Sequence, residues 1–75
     1  MSLSLQAAVQ AWKEADDAAG EAERHLYAAW HAYLAFGTSV PALLQQHATR
    51  ARAHAMRKLT EAVAANKAAA DHPRR

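Results

Sequence analysis

The sequence predicts an all-α fold: an antiparallel two-helix hairpin that pairs with a second copy into a four-helix bundle. Three observations carry this. Apolar residues recur at helical spacing along both halves of the chain. A single strong break, Gly37-Thr38-Ser39-Val40-Pro41, separates those halves. Four of the five aromatic residues crowd into the stretch from Leu26 to Phe36, just before the break. Two glycines, two prolines and an abundance of alanine suit helix and argue against sheet.

The first helix is expected over about residues 5–36. Ser2 or Ser4 can cap it, because a short hydroxyl side chain accepts from an amide that the first turn leaves unpaired. From Leu5 a heptad follows. Leu5, Trp12, Ala19, Leu26 and Tyr33 form one row, and Ala8, Ala15, Ala22, Ala29 and Phe36 the other. Every seam position is apolar, which is the pattern of a helix packed along another helix. Around Ala15 to Ala22 the seam is small, and Gly20 lies beside it. That glycine is either a close-contact point or a tolerated surface residue costing about 1 kcal/mol in helix propensity. Nearer the break the apolar face widens to include Tyr27, Trp30 and Leu34, more than one partner helix can cover. Asp16 and Glu23 fall on the same flank and belong at its rim, since a buried unpaired carboxylate is costly.

The break reads as a turn over 37–39. Gly37 suits the left-handed residue after a helix end, Thr38 or Ser39 the next cap, and Pro41 the first turn of the following helix. So short a connection makes the helices antiparallel neighbours. The four aromatics just before it should form an apolar knot at this closed end.

The second helix is expected over about residues 40–70. Its stripe is Val40, Leu44, Ala48, Ala51, Ala55, Leu59, Ala62 and Asn66, a spacing nearer eleven than seven, so a regular coiled coil is not expected. Met56 and Val63 form a minor apolar flank, and Leu43 is expected to cover the turn. Residues 71–75 form a polar tail expected to fray.

Charge agrees with the hairpin. Up to Gly37, Lys13 and Arg24 stand against Glu14, Asp16, Asp17, Glu21 and Glu23, a net of −3. Beyond it, Arg50, Arg52, Arg57, Lys58, Lys67, Arg74 and Arg75 stand against Glu61 and Asp71, a net of +5. Folding at the break pairs residues whose numbers add to roughly 76, so the acidic run from Glu14 to Glu23 faces the neighbourhood of Arg52, Arg57 and Lys58. Exposed pairs of this kind set orientation more than stability.

At 75 residues the chain is a single domain that struggles to bury a self-sufficient core. The large apolar side chains beside the seam need a further partner, hence the expected homodimer, with Tyr27, Trp30, Leu34, Met56 and Val63 as its interface or as the anchor for another protein. The chain lacks cysteine and an apolar run of membrane-spanning length, Met1-Ser2-Leu3-Ser4-Leu5 does not read as a secretory signal, and the expected setting is cytoplasmic.

Chemistry is sparse, and no catalytic, metal or cofactor-binding residues are expected. His25, His31, His47, His54 and His72 include no pair three or four apart on a helix, although His25 and His54 approach each other across the hairpin. No hydroxyl has an evident histidine–carboxylate relay, and no glycine-rich phosphate loop exists. The expected function is a non-enzymatic helical-hairpin assembly module. The alternative is a nucleic-acid-binding hairpin, RNA or DNA, that uses Arg50, Arg52, Arg57 and Lys58. Glu61 on the same face and the lack of interleaved aromatics weaken that alternative.

Overall fold

A computed structural model describes residues 4–71. Over that range the chain is all-helical. Helix α1 spans Leu5–Phe36 and helix α2 spans Ala42–Asp71, packed against each other as a hairpin. Ser2 and the residues from His72 onward lie outside the described range.

Ser4 caps α1. Its backbone is extended, and its hydroxyl oxygen accepts from the Ala7 amide at 3.1 Å. At the other end Gly37 takes the left-handed conformation, φ 67° and ψ 31°, and its N–H donates to the Tyr33 carbonyl at 2.9 Å. Only a residue without Cβ adopts this backbone at no cost. Helix α2 then begins about two residues later than the sequence pattern indicates. Pro41 stands at its entrance, and the Pro41 carbonyl accepts from the Gln45 amide at 2.9 Å. Proline has no N–H to leave unpaired there, and its fixed φ suits the entry.

Between the helices the seam is made of alanine. Ala8, Ala15, Ala19 and Ala22 of α1 and Ala48, Ala55 and Ala62 of α2 are the buried apolar residues. Ala15, Ala19 and Ala55 form the central cluster, with Ala51 packed on it. The α1 rows behave as the heptad requires: Leu5, Trp12, Leu26 and Tyr33 are half-buried beside the alanines. Helix α2 departs from its expected pattern. Its buried alanines 48, 55 and 62 are seven apart, and the half-buried Ala51, Lys58 and Ala65 form a second row of the same period. Lys58 hid this repeat in the sequence: its aliphatic stem serves as a seam group while its ammonium stays in water. Both helices therefore follow one seven-residue rule.

The closed end also differs from expectation. Phe36, a seam position by spacing, is 82% exposed, and Leu43 is 81% exposed and does not cover the turn. The register explains Phe36. Ala19 packs with Ala55 and Glu23 meets Arg52, so facing residues add to 74 or 75 rather than 76. Phe36 then faces the turn, which offers no helix to pack on. Of the four aromatics expected to form a knot, only Trp30 and Tyr33 do so, edge to face at 5.6 Å with planes 87° apart.

Candidate interaction surface

The hairpin has two unlike broad sides, and one guanidinium shows which residues share a side. Arg52 donates from Nε and Nη2 to the two carboxylate oxygens of Glu23, at 3.0 and 2.7 Å, and from Nη1 to Asp16 Oδ1 at 2.6 Å. The fork of an arginine matches a carboxylate in this two-pronged way, which fixes orientation as well as distance. Asp16 and Glu23 are seven apart, so they sit on one flank of α1 with Val9 and Trp30. Arg52 shares its flank of α2 with Leu59 and Asn66 by the same spacing. The ion pairs place these two flanks on the same side of the hairpin.

Glu23 is held below the ordinary glutamate range, chiefly by its hydrogen bonds to the Arg52 guanidinium; partial burial opposes this and the opposite charge adds to it. Arg52 is held more firmly protonated by the same hydrogen bonds to Glu23 and Asp16. All three groups remain partly exposed.

Above and below this cluster the same side is apolar. Toward the closed end, Leu26, Tyr27, Trp30, Ala48 and Thr49 line a shallow groove that runs down to Glu23 and Arg52. Toward the open end, Leu5, Val9, Trp12, Leu59 and Val63 line a second depression. Leu34 follows Tyr27 by seven residues, and Met56 lies midway between Thr49 and Val63 on their row. Tyr27, Trp30, Leu34, Met56 and Val63 thus fall on one side of the molecule, divided by the arginine–carboxylate cluster. Tyr27, Leu34, Met56 and Val63 are exposed and Trp30 is half-buried. On the reverse side, Ala18, His25, His47, His54 and Glu61 are exposed.

Gly20 lies on the Tyr27 row, level with the cluster. A Cβ there would meet only Arg24 Nη1, at an ordinary 3.6 Å. Packing within the hairpin does not require the glycine.

The basic residues do not form one patch. Arg52 is engaged by carboxylates on the apolar side, and Lys58 Nζ lies 3.5 Å from Glu61 Oε1 on its own helix. Arg50 and Arg57 share an exposed row on the far flank of α2 and make no ion pair among the described residues. Among those residues no three His, Asp or Glu side chains gather as a metal site requires. The Thr60 hydroxyl donates to the Met56 carbonyl at 3.0 Å, a local bond within its helix. No helix is long and apolar enough to cross a membrane, judged over the described residues.

The arginine bridging two carboxylates is the feature sequence reading resolved least. Complementary charge and the seven-residue spacing of Asp16 and Glu23 signalled a meeting of the helices there, but not that one residue would serve both acids. Compared with known proteins, the chain matches no family model, no curated protein and no solved structure.

Proposed function

We propose that this chain is a non-enzymatic assembly module that works as a homodimer, two hairpins joined through their apolar sides into a four-helix bundle. One observation carries the reading. The buried core consists of alanines, while Tyr27, Leu34, Met56 and Val63 stand exposed on a single side. Alanine allows close helix approach but removes little apolar area from water, so the hairpin seam alone is a thin source of stability. Area points the same way. The chain exposes 6058 Å², whereas a compact protein of its mass exposes about 4,500 Å². A standard interface takes about 800 Å² from each partner, which fits within that difference. The arginine–carboxylate cluster would lie near the centre of such an interface, with its hydrogen bonds already made within each copy.

Size-exclusion chromatography with light scattering tests this. The expected mass is that of two chains, and Met56→Glu with Val63→Glu is expected to return one. A folded wild-type monomer at micromolar concentration would refute the proposal.

A second reading rests on Arg50 and Arg57, whose guanidinium groups share an exposed row, make no ion pair among the described residues and could contact phosphates. Titration against duplex DNA and structured RNA at two salt concentrations tests it. Absence of binding at low salt removes it.

A further inference from the structure

The closed end of the hairpin has a composition found nowhere else in the chain. Residues 25–49 contain no Asp, Glu, Lys or Arg. The three most exposed large apolar side chains of the described residues lie there, Phe36 at 82%, Leu43 at 81% and Leu34 at 77%; Val40, beside the turn, is 52% exposed. These residues do not share a side. Leu34 belongs to the side carrying Tyr27, Phe36 and Val40 flank the turn, and Leu43 shares its row with Arg50, on the opposite flank of α2. A second hairpin laid along one side covers Leu34 but leaves Leu43 and Phe36 wet. An uncharged end that exposes large apolar side chains on more than one side calls for a partner that receives an end.

The surroundings of the tip indicate what that partner is. Trp30 stands one turn behind Leu34 and Tyr33 about one turn behind Phe36, the position such amphipathic rings take at a lipid headgroup boundary. Arg24 and Arg50 bound the uncharged segment, and their numbers add to 74, so the register sets them at one height as a collar carried by both helices. Twelve residues separate Arg24 from Phe36, roughly 18 Å of helix at a rise of about 1.5 Å per residue. A tip buried ~5–10 Å into the boundary between headgroups and acyl chains, below a headgroup layer several ångströms thick, leaves that collar near the outer phosphates; the Arg24 guanidinium, which lies back over Gly20, reaches them by swinging toward the tip. Within the turn the Gly37 and Ala42 amides already donate to the Tyr33 and Val40 carbonyls, which lowers the cost of bringing this backbone into the headgroup boundary.

We propose that the closed end of the hairpin is a lipid-docking tip. Leu34, Phe36, Val40 and Leu43 enter the surface of an anionic bilayer, and Arg24 and Arg50 hold its headgroups. The tip inserts without crossing, in keeping with helices too short in apolar length to span. Apart from Leu34, it uses residues outside the side-to-side contact, and it does not depend on that contact.

The test is co-sedimentation of the full chain with vesicles of phosphatidylcholine and phosphatidylglycerol at low and moderate salt. Wild type is expected to bind and to shift its tryptophan emission to the blue. Phe36→Glu with Leu43→Glu is expected to lower binding at least tenfold at unchanged helicity, because both side chains are exposed and support no packing. Arg24→Gln and Arg50→Gln are each expected to lower it about fivefold, through the loss of one cation near an anionic surface. Met56→Glu with Val63→Glu should leave binding in place even if it abolishes dimers, which separates this proposal from the dimer reading. No binding at low salt overturns the proposal, as does binding indifferent to Phe36→Glu with Leu43→Glu. A drop in oligomer mass on that double substitution, without vesicle binding by wild type, would overturn it and assign the tip to a second copy.

Discussion

Gly20 and Gly37 are the only glycines of the chain, and they differ in what they do. Gly37 holds a left-handed backbone, so Gly37→Ala should destabilise by roughly 1 kcal/mol, the strain of placing Cβ there. Gly20 sits in the helix interior with room for a methyl group, so Gly20→Ala should stabilise by about 1 kcal/mol through helix propensity. Urea unfolding measures both, and a loss of stability at Gly20→Ala would show another chain pressing on that site. Glu23 sets the pH behaviour at this scale. Its folded proton affinity is depressed by Arg52, so the stability it adds is complete above the unfolded glutamate value of about 4.3. It is lost as pH falls through the lower folded value. Thermal melts followed by circular dichroism should therefore show wild type losing stability below about pH 4, and Glu23→Gln losing less over the same window.

At the scale of the helix, the alanine seam is the device that sets the spacing of the pair. Ala19 and Ala55 are 0% and 1% exposed within one cluster, so neither can lengthen without moving the helices apart. Ala55→Leu should cost about 1–3 kcal/mol by overpacking, and a companion change at Ala19 should not rescue it, because alanine is already small. Denaturant midpoints measure the effect. The same seam explains why α2 looked irregular. A lysine stem at position 58 fills a place where the eye seeks an aliphatic residue, and Leu59, one residue on, drew the stripe sideways.

For the whole molecule, a core of alanines and a side of larger apolar groups amount to a hairpin with more apolar surface than it hides. If two copies share that surface, the melting temperature should rise with protein concentration, since association stabilises by mass action. Melts across a hundredfold concentration range check this. The exchange of Met56 and Val63 for glutamate should flatten the dependence, whereas Phe36→Glu with Leu43→Glu should leave it intact and act only on vesicle binding.

The amino-acid sequence by itself determined the helices, the break, the α1 seam, a serine cap at position 2 or 4, the left-handed Gly37 and the meeting of acidic and basic halves. These follow from local periodicity, local backbone chemistry and the sign of charge, all of which a linear chain displays. Only the tertiary structure decided the register, and with it the rest. A shift of one or two residues in facing positions leaves Phe36 opposite a turn and gathers two carboxylates onto Arg52, and the α2 seam that includes Lys58 turns Met56 and Val63 to the side of Tyr27. Such a shift is set by how closely alanines let two helices approach, a property of the pair that neither helix carries alone.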